Sequence, residues 1–172
     1  MGEKIIWKLE QSFSLNENYK LTGKIDCLGE SDHSIILIDF KSTAAAASSS
    51  TEILDMDSLQ LWTYAKAAST MLKDFSKKNI VLGYVSLDKP VESNLLVTDE
   101  ELAAKLKANK ICRFKLLDQP FADKFQEAQD KMDVLVKTIY EEQKFLARPR
   151  KSSTCKFCEL TNVCVKSEIV NE

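Results

Sequence analysis

Several things are scarce or missing in this 172-residue chain. No apolar run approaches the roughly 18 residues that span a bilayer, so no transmembrane helix is expected. Met1-Gly2-Glu3-Lys4 leads straight into a strand-like segment, so no secretory leader is expected either. An N-terminal Met-Gly could signal myristoylation, but that motif needs Ser or Thr at position 6, where Ile6 stands. There is no excess of either charge. The 24 basic and 26 acidic residues leave a net charge of −2, so a polyanionic partner would have to meet a local patch. The one histidine, His33, falls in a presumed turn and is given no role. Five cysteines are an odd number, three of them crowded near the C-terminus. Without a secretory signal they read as reduced thiols or metal ligands in a cytoplasmic protein, not as a disulfide framework.

What is present suits one globular domain with a sizeable core: 44% hydrophobic and 29% charged residues. Residues 4–13 and 19–28 alternate, and 35–41 opens with the apolar run Ile35–Ile38. Together they predict three strands with short connections, an antiparallel meander. In the second strand, Tyr19, Leu21, Gly23, Ile25 and Cys27 should share one face and Asp26 the other. Residues 42–51 (STAAAASSST) read as a loop. A helix should run over 57–73, N-capped by Asp55 or Asp57. Strands follow over 79–87 and 92–97, then a capping-box helix from Thr98 to Ala108 and a strand over 111–117. Pro120 should open a long helix to about Phe145, with one apolar stripe of Phe121, Phe125, Ala128, Met132, Leu135 and Ile139. That stripe faces the core or binds a partner. No internal repeat is visible.

The sharpest feature is Asp39-Phe40-Lys41, at the exit of Ile35-Ile36-Leu37-Ile38. Residues two apart on a strand share a face, so Asp39 and Lys41 lie together and Phe40 turns away. A carboxylate able to hold a divalent cation, beside an ammonium able to polarise water, is the minimum equipment for metal-assisted hydrolysis. The plainer alternative is a strand end that reaches solvent. If the second and third strands form a hairpin centred between Asp32 and His33, Asp26 lies opposite Asp39. Two carboxylates that close need a proton or a cation between them, and Mg²⁺ or Mn²⁺ suits oxygen ligands. Gln60 and Tyr64 are four apart and share a helix face that could fold back beside these strands. An ordinary helix edge is the alternative. Glu10 is a further acidic candidate.

Gly23-Lys24-Ile25-Asp26, Ile38-Asp39-Phe40-Lys41-Ser42 and Gln60-Leu61-Trp62-Thr63-Tyr64 resemble the successive motifs of the PD-(D/E)xK nuclease superfamily, over roughly residues 20–65. The RecB-like branch looks most similar: the nuclease domains of RecB and AddB and the CRISPR-associated RecB-like exonucleases. The resemblance implies a restriction-endonuclease-like α/β core with a central mixed sheet flanked by helices. It implies a Mg²⁺- or Mn²⁺-dependent deoxyribonuclease, an exonuclease by its nearest relatives, that acts in recombination, repair or CRISPR adaptation with DNA and helicase or adaptation partners. Asp26, Asp39 and the Phe40 carbonyl would hold the metal, Lys41 would be the catalytic lysine, and Gln60 and Tyr64 would line the DNA side.

Cys155-Lys156-Phe157-Cys158, with Cys164 after five more residues, has a spacing that lets thiolates share one metal. It also resembles the C-terminal cysteines of the RecB-like iron–sulfur nucleases, which implies a four-iron cluster or zinc. Those proteins take a fourth cysteine and a first-motif helix from upstream of the nuclease strands. Neither is legible here, and Cys27 and Cys112 are no convincing substitutes. The expected layout is a core over 1–150, lacking its N-terminal helix, and a cysteine segment over 151–172. A fragment of a longer protein, an inactive nuclease-like scaffold in a helicase–nuclease complex, and a zinc or iron–sulfur structural module all stay open.

Overall fold

A computed structural model describes residues 4–16, 20–88, 90–108 and 112–142. The chain divides into two compact units, residues 1–133 and 134–172. The cysteine segment, and the division expected at residue 150, lie outside the described residues.

Six strands form one mixed sheet in sequence order: β1 (Ile6–Asn16), β2 (Lys20–Glu30), β3 (Ser34–Lys41), β4 (Asn79–Ser86), β5 (Ser93–Val97) and β6 (Cys112–Leu116). β1, β2 and β3 are the expected antiparallel meander. β4 then pairs parallel with β3, which requires a long crossover. That crossover is α1 (Ser50–Leu54) and α2 (Gln60–Met71). α3 (Glu100–Lys107) connects the parallel pair β5 and β6, and α4 (Phe121–Tyr140) follows. This is the mixed, helix-flanked α/β architecture that the motifs implied.

β3 explains its own sequence. It is central, with helices over both faces, so Ile35 and Leu37 are fully buried against α2 while Ile36 packs on the α3 side. The main core joins them to Leu61, Trp62, Ala65 and Ala68 of α2 and to Ala128 of α4. Phe75, Phe121 and Phe125 cluster at its edge, with Trp62 stacked 5.9 Å from Phe121. Trp62 buries its ring because its Nε1–H reaches the Ile53 carbonyl at 2.8 Å. None of the described helices is long and apolar enough to cross a membrane.

Several sequence expectations need correction. The segment 42–51 is not all loop: Ser49 and Glu52 form a capping box that starts α1. Asp55 ends that helix, and α2 begins at Gln60 after Leu59, which makes no side-chain cap. Asp99, not Thr98, caps α3, accepting from the Leu102 N–H at 2.6 Å. Thr98 is engaged elsewhere, its hydroxyl accepting from the Ile80 N–H.

The β2 pattern also breaks. Alternation from Leu28 should carry Ile25 away from α2, yet Ile25 is fully buried in the α2-facing core and Cys27 is not part of it. The break is visible in the ladder. Leu9 pairs with Cys27 and Gln11 with Ile25, while Glu10, opposite Asp26, is skipped and has φ 48°. A left-handed non-glycine residue inside a strand rotates the chain by half a step. Ile25 and Phe13 both reach the α2-facing core, and Asp26 sits at the turning point.

Candidate active site

The β2–β3 hairpin has the register that centres it between Asp32 and His33: Cys27 pairs with Ile38 and Glu30 with Ile35. One further step would pair Asp26 with Asp39, but the ladder stops at Cys27. There Asp26 fills the gap with its side chain, and its Oδ2 accepts the Phe40 N–H at 2.9 Å. Asp26 is thus fixed to the backbone between the two residues that carry the other charges.

Asp39 is only 2% exposed. A carboxylate that deep must be paired or hydrogen-bonded. Its Oδ1 accepts from Gln60 Nε2 at 2.6 Å and from the Tyr64 hydroxyl at 3.0 Å. Its Oδ2 has an ion-pair partner, Lys41 Nζ at 2.7 Å, but accepts no aligned hydrogen bond. Lys41 also donates to Gln60 Oε1 at 2.9 Å. Gln60 can therefore sit only one way. Its oxygen must meet the ammonium, which only donates, and its nitrogen must meet the carboxylate, which only accepts. The α2 spacing that puts Gln60 and Tyr64 on one face delivers both to Asp39.

Tyr64 is held as the neutral phenol. Burial raises its pKa far above the ordinary value, and the nearby charge of Asp39 raises it further. It therefore stays a donor to Asp39. Its ring meets Phe13 edge-on at 6.4 Å, and Phe13 lies across Gly23, where an added Cβ would come within 2.8 Å of the ring. Gly23 thus serves the site through Phe13 and Tyr64, which gives the Gly-x-x-Asp spacing a steric reason.

Other candidates sit apart. Glu10 turns outward to Lys24 Nζ at 3.3 Å on an exposed face. Cys27 is a free, buried thiol whose pKa is raised by burial first and by the Asp26 charge second. Cys112 is also free. Sequence reasoning missed Tyr84 and Ser58. Tyr84 faces Asp39 in the parallel β3–β4 pairing, and its hydroxyl lies 2.6 Å from Ser58 Oγ. The signal was a hydroxyl in the otherwise apolar run Ile80–Val85.

The exit of a central strand gathers Asp26, Asp39, Lys41, Gln60 and Tyr64, and the sequence matches the PD-(D/E)XK nuclease superfamily over residues 2–165. The chain belongs to the PD-(D/E)XK nuclease superfamily. Among solved structures, the chain is similar to one titled "Crystal structure of SSO0001", at 16% identity and a TM-score of 0.35. That similarity covers 92% of this superfamily member and 60% of the other chain. No curated protein matches the sequence. Membership supports nuclease activity in general terms, and divalent metals are typical of the superfamily.

The donor set fits a hard divalent cation. Asp39 Oδ2 is a buried oxygen without an aligned hydrogen bond, and Asp26 supplies a second carboxylate, held on the N–H of the next residue, Phe40. Mg²⁺ is commonly held by one or two carboxylates, with water and substrate phosphate completing its sphere. Among the described residues no group of three His, Cys, Asp or Glu side chains gathers at one point, so protein side chains alone would not cage the ion.

Proposed function

We propose that this protein is a Mg²⁺- or Mn²⁺-dependent deoxyribonuclease of the RecB-like branch, hydrolysing phosphodiester bonds at the Asp39 site, as an exonuclease. The observation that carries the reading is the closed network of Asp39, Lys41, Gln60 and Tyr64, with bonds of 2.6–3.0 Å around one buried carboxylate. Asp26, Asp39 and the Phe40 carbonyl would hold the cation. Bound there, it would supply Lewis-acid polarisation of the phosphate and a more acidic water.

The chain's own residues do the rest. Asp26 fixes the Phe40 backbone and so the turn of Asp39 and Lys41 to the same face. Lys41 presents an ammonium that can orient the attacking water or offset charge growing on the phosphate oxygens. Gln60 keeps that ammonium aimed, and Tyr64 holds Asp39 from behind. DNA would approach along the Gln60 side, and cytoplasmic recombination, repair or CRISPR adaptation, with helicase or adaptation partners, is the proposed setting. Cys155, Cys158 and Cys164 are proposed to hold an iron–sulfur cluster or zinc, which elemental analysis would reveal.

The 2.7 Å Lys41–Asp39 pair favours a second reading, an inactive scaffold, because the buried charge is already neutralised by the protein. A Mn²⁺ titration followed by calorimetry separates the two. The enzyme reading expects saturable binding that Asp39→Asn abolishes and Asp26→Asn weakens by at least about tenfold. No saturable Mn²⁺ binding by the unmodified protein, in the presence or absence of DNA, would favour the scaffold.

A further inference from the structure

Lysine is a flexible four-carbon stem with a rotatable ammonium, so holding it on one vector needs contacts on several sides. Two contacts of Lys41, Asp39 Oδ2 and Gln60 Oε1, go to groups that the proposed chemistry itself uses. The third does not. Lys41 Nζ lies 5.2 Å from the centroid of the Tyr84 ring, inside the range of a cation–π attraction. Tyr84 is 1% exposed, so the contact is shielded from water on the ring side.

The ring cannot drift. Parallel pairing sets Tyr84 beside Asp39. Its hydroxyl is tied to Ser58 Oγ at 2.6 Å, two residues ahead of Gln60, and reaches Gln60 Oε1 at 3.5 Å. β3, β4 and the start of α2 are therefore joined through one phenol.

We propose that Tyr84 is a positioning residue: its ring is the seat that holds the Lys41 ammonium toward the reacting phosphate. The proposal depends on the nuclease reading only for what Lys41 does. The seat itself stands on geometry and is testable without catalysis. It differs from a packing role, because it needs the electron-rich face of the ring and not merely its volume.

Fluorination separates the two. Tyr84→Phe keeps the ring face, and Tyr84→3,4,5-trifluorophenylalanine keeps the shape while draining the face of negative potential. The readout is the order of the Lys41 ammonium from ¹⁵N relaxation at one fixed pH in metal-free protein, with exposed Lys115 as the internal reference. Tyr84→Phe should leave Lys41 ordered, and the trifluoro protein should lose that order toward the Lys115 value. If Mn²⁺-dependent DNA cleavage is present, kcat should fall about three- to tenfold from the Phe protein to the trifluoro protein, with KM changing less than about twofold. Equal Lys41 order in the two proteins would overturn the proposal. Absence of cleavage in the unmodified protein would count against the nuclease reading alone, and the relaxation result would still decide the seat.

Discussion

At the scale of single residues, the site is organised by what each group can and cannot donate. Asp39 can only accept and Lys41 can only donate, so Gln60 between them is locked by polarity. Replacing Gln60 with Met keeps the length and removes both amide functions. Gln60→Met should cost about 1–2 kcal/mol of stability in urea denaturation, because a buried carboxylate loses a charge-assisted bond. DNA cleavage should fall at least about tenfold with it. Unchanged stability would mean that the 2.6 Å Gln60–Asp39 bond contributes nothing. Asp39, Lys41, Gln60 and Tyr64 were legible because their chemistry is anomalous for their positions. A charge at the exit of an apolar strand and two polar residues four apart on one helix face call for a partner. Tyr84 was not, because an aromatic residue in a strand is ordinary and its value lies in the ring face it offers Lys41 from the neighbouring strand.

At the scale of elements, the β2–β3 hairpin decides whether the site exists, since a one-residue slip would send its side chains to the other face. The register is clamped at the turn end. Lys78, just ahead of β4, donates to Glu30 Oε1 at 3.0 Å and to the Ser31 carbonyl at 2.8 Å. The Lys78 bond, foremost, holds the Glu30 carboxyl below its ordinary pKa despite the opposing effect of burial. A carboxyl whose folded pKa is depressed adds stability above its unfolded value and loses it as pH falls through the folded one. Glu30→Gln should therefore cost roughly 0.5–1 kcal/mol near neutral pH, with the gap to the unmodified protein closing as pH falls below about 4. A gap independent of pH would remove charge from the explanation. The hairpin was readable from its turn residues and apolar run. The half-step at Glu10 was not, because alternation is the rule by which strands are read, and a left-handed residue that breaks it carries no mark in the sequence. The helix starts failed for a related reason: Asp55, Asp57 and Thr98 are all good caps, and tertiary contacts chose among several.

At the scale of the whole molecule, the sheet brings distant segments to one place. β3 and β4 run parallel, so their exits lie side by side, and the crossover that parallel pairing demands returns Gln60 at the first turn of α2. Sites in sheets with such crossovers form at the carboxyl ends of the strands. The superfamily match over residues 2–165 and the mixed sheet agree with this placement. A net charge of −2 supplies no general pull on a polyanion, so a nuclease centre here would have to rest on the local chemistry of this one exit. That makes Lys41 the most direct test. The measurement is the rate of phosphodiester cleavage of linear DNA with Mn²⁺, comparing the unmodified protein with Lys41→Ala, folding being checked by circular dichroism. Cleavage by the unmodified protein and a loss of at least about a hundredfold in folded Lys41→Ala is the predicted result. Equal rates from the two proteins would contradict a nuclease centre at Asp39.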